Sequence, residues 1–65
     1  MSDFISRLRE EKNDLGSRML KLYEFINSEK FRDVDGAEQD LLRDQFDAMS
    51  RYHSALCLRL KKHEI

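Results

Sequence analysis

Apolar side chains recur every three or four positions along this chain in two stripes of nearly equal length. The first is Ile5, Leu8, Leu15, Met19, Leu22 and Ile26, with Lys12 in its one polar slot. The second is Leu42, Phe46, Met49, Leu56 and Leu60, with His53 in the corresponding place. Three-four spacing puts such residues on one face of an α-helix, in a heptad-like seam. Asp33-Val34-Asp35-Gly36 separates the two stripes. The pattern predicts an all-α fold: a helix over about 3–30, a tight turn, and a helix over about 36–62. Helices of equal length on a short connection pack antiparallel.

Local signals sharpen these bounds. Ser2 and Asp3 are both N-cap types for the first helix, and Asp35 with Glu38 three residues later reads as a capping box for the second. The first helix is expected to end near Asn27-Ser28 or a few residues beyond, with Phe31 folding back over its end. Acids (Glu38, Asp40, Asp44) open the second helix and bases (Arg59, Lys61, Lys62) close it, which suits the helix dipole. Asp14–Arg18 and Asp47–Arg51 are spaced for ion pairs one turn apart. Gly16 costs about 1 kcal/mol in a helix interior, which hints that a backbone or a bulky side chain approaches closely there. One helix running straight through the break is the alternative, opposed by Gly36 and the capping box.

The apolar faces are wider than one seam needs. Phe4, Leu20, Tyr23 and Phe25 flank the first stripe; Leu41, Ala48, Tyr52, Ala55 and Leu58 flank the second. A 65-residue chain is marginal as a lone core, and its single cysteine rules out an internal disulfide. The expectation is one domain, 1–65, that associates with itself as a dimeric four-helix bundle or a higher oligomer. Leu8, Leu15, Met19, Leu22, Ile26, Leu42, Phe46, Met49, Tyr52, Leu56 and Leu60 are the expected interface.

Charge narrows the function classes. Charged residues make up 38% of the chain, yet 12 bases against 13 acids leave a net of −1, unlike a general nucleic-acid binder. Folding back gathers Arg7, Arg9, Lys12, Arg59, Lys61 and Lys62 at the open end, and Asp33, Asp35, Glu38, Asp40, Asp44 and Asp47 toward the turn. Those bases, with His53, are the candidate anion-binding residues. Lys12, Tyr52 and His53 also suggest a polar pocket between copies; the plainer reading is that Lys12 snorkels and His53 is satisfied at an interface or fixes register. Cys57 falls among apolar residues and reads as packing. No metal-ligand spacing, phosphate loop or nucleophile arrangement is present, so no cofactor, no metal and no enzyme activity are expected. A lone thiol, no apolar run of spanning length and no basic-then-apolar start suggest a cytoplasmic protein with no membrane partner.

Lys21-Leu22-Tyr23-Glu24-Phe25-Ile26 through Lys30-Phe31, followed by Glu38 to Tyr52, resembles small proteins encoded in bacteriophage and prophage genomes. That resemblance implies a short non-enzymatic protein acting on a host factor, blocking a defence system, or sequestering a signalling nucleotide. It transfers no site residue. The architecture is also similar to the plasmid RNA-binding regulator Rop, a hairpin that dimerises into a four-helix bundle. The expected partners are therefore other copies of the chain and a host protein, with a nucleotide or RNA as alternatives.

Overall fold

The computed structural model describes residues 3–63, and the expected cap at Ser2 lies outside them. The chain forms α1 (Asp3–Ile26), a 3₁₀ turn, η1 (Glu29–Asp33), and α2 (Gly36–His63), packed as an antiparallel hairpin. It is a rod of 48 × 14 × 14 Å. The long dimension is that of one helix, since 28 residues at about 1.5 Å each span about 42 Å. Opposite ends of the sequence meet: the rings of Phe4 and His63 are 5.5 Å apart, and those of Tyr23 and Phe46 are 5.9 Å apart.

The heptad stripes form the seam. Leu8 and Leu15 of α1 and Leu56 and Leu60 of α2 are buried against one another, with Ile5, Met19 and Met49 partly buried around them. Leu56 is fully enclosed, at 0% exposure. These four leucines were expected at an interface between copies; a single hairpin already covers them. Leu22, Ile26, Leu42 and Phe46 are only partly buried toward the turn end, so the driest part of the seam lies toward the open end.

α1 stops at Ile26, so the exit falls at Asn27-Ser28, the nearer of the expected positions, and the helix does not reach the outer bound near residue 30. The Asn27 side chain donates to the Tyr23 carbonyl at 2.8 Å, and the Ser28 hydroxyl donates to the Phe25 carbonyl. Side chains that take the last carbonyls compete with another helical turn. Ser28 then swings to extended backbone (φ −92°, ψ 163°) and η1 begins. Phe31, 5% exposed, folds back against the end of α1, edge-on to Phe25 with 5.8 Å between ring centroids. Arg43 of α2 covers its other side, 5.1 Å from the ring centroid.

The entry to α2 is capped on one side only. The Asp35 carboxylate accepts from the Ala37 amide at 3.2 Å, and the Asp35 carbonyl from the Gln39 amide at 2.9 Å. Glu38 makes no return bond to the Asp35 amide among the described contacts, so the reciprocal half of the capping box is not formed. Gln39 serves instead. Its side-chain amide donates to the carbonyls of Phe31 and Val34, both at 2.9 Å, and so ties η1 to the first turn of α2. The whole reversal uses no positive φ among the described residues.

Candidate functional site

Two flanks of the hairpin differ in chemistry. On one side Gly16, Met19, Leu20 and Tyr23 of α1 face Phe46 and His53 of α2 around a groove of about 270 Å³ with no full charge in its lining. Leu20 and Tyr23 are more than half exposed there. Cys57 lies beside this flank, one turn past His53, its Sγ 3.7 Å from His53 Nδ1. The thiol is exposed with an imidazole next to it, which corrects its reading as a packing residue. The expected close approach at Gly16 is to His53, whose Nε2 is 3.4 Å from where a glycine Cβ would stand.

The other side is charged. Arg7, Glu10, Glu11, Asp14 and Arg18 of α1 line a groove of about 510 Å³ together with Leu15 and with Tyr52 of α2. Toward the open end it continues into a second hollow of about 320 Å³ between Phe4, Arg7, Leu8, Glu11 and Arg59. Phe4 is half-exposed at its mouth, with the Arg59 guanidinium 5.9 Å from the ring centroid and His63 edge-on to it. An aromatic face with a guanidinium over it is a cation–π pair.

The candidate anion-binding residues therefore divide. Arg7 and Arg59 come together beside Phe4. Arg9 lies instead on the outer surface of α1, among Ser6, Glu10, Asn13 and Asp14. His53 lines the uncharged groove, which Lys12 does not. Tyr52 and His53 line opposite flanks, because consecutive helical residues are about 100° apart. The three residues considered for a pocket, Lys12, Tyr52 and His53, thus do not share one groove within a hairpin. Lys61 and Lys62 are exposed in the last turn of α2.

The ion pairs also differ from expectation. Arg7 meets Asp3 at 3.9 Å and Arg43 meets Asp40 at 3.7 Å, all four side chains exposed, whereas Asp14–Arg18 and Asp47–Arg51 make none among the described contacts. The turn end is consequently not purely acidic, since Arg43 sits over Phe31 there. No group of three or more His, Cys, Asp or Glu among the described residues is placed to hold a metal ion. No described helix is long and apolar enough to cross a membrane.

Residues 2–62 match the family model for Sequestin. The chain belongs to the Sequestin family. The match takes in both helices and the turn. No match to a curated protein or to a solved structure was found. The family name carries a binding or sequestering role and names no target. The Phe4–Arg7–Arg59 hollow carries the aromatic and cationic groups for such a role, and its pieces were legible separately. Arg7 and Arg59 stood out as bases, and Phe4 as an apolar flank. Their union follows from the register of the hairpin.

Proposed function

We propose that this Sequestin chain is a non-enzymatic sponge: hairpins assembled into an oligomer hold a small anionic ligand, a signalling nucleotide, and keep it from its receptor. The observation that carries this reading is the family match over residues 2–62, whose name denotes sequestration. The chemistry of the Phe4 hollow supports the ligand class. An exposed aromatic ring offers a stacking face on the side that Arg59 does not cover, worth about 1–3 kcal/mol per base, and Arg59 with Arg7, which Asp3 shares, offers fork-shaped donors suited to phosphate beside the carboxylate of Glu11. The grooves are shallow and open, so a second copy is needed to enclose a ligand. In a cytoplasmic bacteriophage setting, as the sequence resemblance implies, such a sponge blunts a nucleotide-triggered defence.

The exposed side chains of Leu41, Tyr52 and Leu58 favour a second reading, in which the oligomer captures a host protein. RNA binding in the manner of Rop draws on the same bases, and a steep loss of affinity with salt is its mark.

Thermal-shift measurement across mono-, di- and cyclic nucleotides tests the first reading. Ligand at one hundred times its Kd stabilises by about 2.7 kcal/mol, and the nucleotide recovered after heating must be chemically unchanged. Arg59→Ala should weaken the shift at least tenfold in ligand concentration. No shift with any nucleotide, together with a host protein retained on the immobilised chain, would transfer the case to the second reading. A ligand recovered in altered form would show an enzyme instead.

A further inference from the structure

We propose that Glu11 is the specificity residue of the Phe4 hollow: its carboxylate turns away bare polyanions and accepts a hydrogen bond from a neutral donor on the ligand, a ribose hydroxyl or a base amino group. The proposal rests on the reading of this hollow as a nucleotide seat, and it says which anions the seat takes.

Helix geometry builds Glu11 into the hollow. Phe4, Arg7, Leu8 and Glu11 follow one another at the three-four spacing that shares a face of α1, and Arg59 of α2 closes the lining. At about 1.5 Å per residue, Glu11 stands about 6 Å along the helix from Arg7 and about 10 Å from Phe4. Leu8 and Leu15, buried in the seam one turn to either side, hold its turn in place. Glu11 also lines the charged groove beyond, so it stands where the two hollows join. An anion seated between Arg7 and Arg59 has this carboxylate as its neighbour.

Charge then limits what the seat can hold. Two guanidiniums against one carboxylate leave the lining with a single net positive charge, and Asp3 draws on Arg7 from 3.9 Å. Like charges repel over such distances, so each further negative charge on a ligand is opposed. A seat for phosphate alone gains nothing from an acid in its lining. Nor does Glu11 serve the helix dipole, which acts within the first turn, since α1 begins at Asp3, two turns earlier.

The acceptors of Glu11 are also uncommitted within the hairpin. Arg7 lies four residues before it, yet Arg7 pairs with Asp3, and neither Arg7 nor Arg59 pairs with Glu11 among the described contacts. An ionised carboxylate only accepts hydrogen bonds, so the group that faces it must donate. Ionised phosphate oxygens have no proton to give, whereas ribose hydroxyls and base amino groups do. In dinucleotide-binding folds a carboxylate near the phosphates hydrogen-bonds a ribose hydroxyl for the same reason.

Calorimetric titration of the full chain tests the assignment. The probes are adenosine 5′-monophosphate, its 2′-deoxy analogue, purine riboside 5′-monophosphate (which lacks the amino group) and inorganic pyrophosphate. The proteins are wild type, Glu11→Gln, Glu11→Ala and, as control, Glu10→Gln, whose exposed side chain lines the charged groove and not the hollow. Wild type should prefer adenosine monophosphate to pyrophosphate. Glu11→Gln should bind pyrophosphate at least about tenfold tighter than wild type does, and Glu10→Gln should not. On wild type, one analogue should bind at least about tenfold more weakly than adenosine monophosphate, and Glu11→Ala should erase that difference. Loss with the 2′-deoxy analogue names the ribose hydroxyl as the donor; loss with the amino-free analogue names the base. Equal binding of all three nucleotides by wild type, or a pyrophosphate affinity unmoved by Glu11→Gln, would overturn the role of Glu11 and leave the nucleotide seat standing. An equal gain in Glu10→Gln would reduce the effect to overall charge and overturn it as well. A wild type that binds none of the three nucleotides would also overturn the assignment, and the sponge reading would then rest on the wider thermal-shift panel alone.

Discussion

Leu56→Ala is the most revealing single change to the seam. Leu56 is 0% exposed and sits among Leu8, Leu15 and Leu60, so truncation leaves a void that only two helices are present to collapse around. Leucine-to-alanine changes at enclosed sites cost about 2.7–5.0 kcal/mol, and the cost grows with the residual cavity. Because one layer of side chains surrounds this site, partial collapse puts the expected loss near the lower end, about 3 kcal/mol. At about 0.05–0.15 kcal/mol per residue, a chain of this length holds only about 3–10 kcal/mol in all. For a domain of 60–100 residues each kcal/mol shifts Tm by about 4–8 °C, which converts the loss to about 12–24 °C. Circular dichroism melts at a fixed protein concentration read this directly, with Leu58→Ala as the control. Leu58 is 67% exposed, and a surface change of that kind stays within about 0.5 kcal/mol, hence within about 4 °C. Equal melting of the two variants would refute the seam as described.

Three further outcomes follow from particular contacts. Gln39→Ala removes both donors to the Phe31 and Val34 carbonyls and should lower stability by about 1–2 kcal/mol; Gln39→Glu should be worse at neutral pH, since it aims a carboxylate at two carbonyl oxygens, and thermal melts ranking the glutamate variant above the alanine variant would contradict the latch. Asp35→Ala should cost about 1 kcal/mol through loss of the cap on the Ala37 amide, seen as faster hydrogen exchange in the first turn of α2. Gly16→Ala should raise stability by up to about 1 kcal/mol, because helix propensity improves and the new methyl makes only ordinary contact with His53; a lower Tm would show that the fold needs the glycine.

Much of the architecture was legible because it depends on periodicity. Leu8, Leu15, Leu56 and Leu60 occupy stripe positions, and a stripe on each of two helices leaves the seam little choice. Phe31 folds back as expected, since a large apolar side chain just past a helix end has the end of that helix to cover it. The end of α1 was harder to place. Whether the side chains of Asn27 and Ser28 bond the carbonyls of Tyr23 and Phe25 or leave them to another turn is a contest between near-equal local options. Gln39 gave no signal at all, because a neutral side chain reaching eight residues back obeys no short spacing rule. Exposed ion pairs were read from one-turn spacing, but free side chains of similar energy choose among many partners, and Asp3 and Asp40 were the ones met.

The candidate site was legible in its parts and not in their grouping. Arg7, Arg59 and Phe4 were each singled out, yet only the register of the antiparallel pairing, with residue 4 level with residue 63, brings them together. Tyr52 and His53, adjacent in sequence, line opposite flanks of one hairpin, so a pocket holding both needs a second copy. Which flank of each helix shares a side with which flank of the other is a three-dimensional fact. It separates a charged groove and an aromatic hollow from a groove with no charged residue in its lining.

Native mass spectrometry of the full chain incubated with a nucleotide panel tests the central claim most directly, because subunit number and bound ligand appear in one spectrum. The account predicts ions at a multiple of the 7.8 kDa chain that carry an intact nucleotide and lose it on Arg59→Ala. Single chains with no nucleotide bound, at concentrations well above those in which the hairpin is folded, would contradict it.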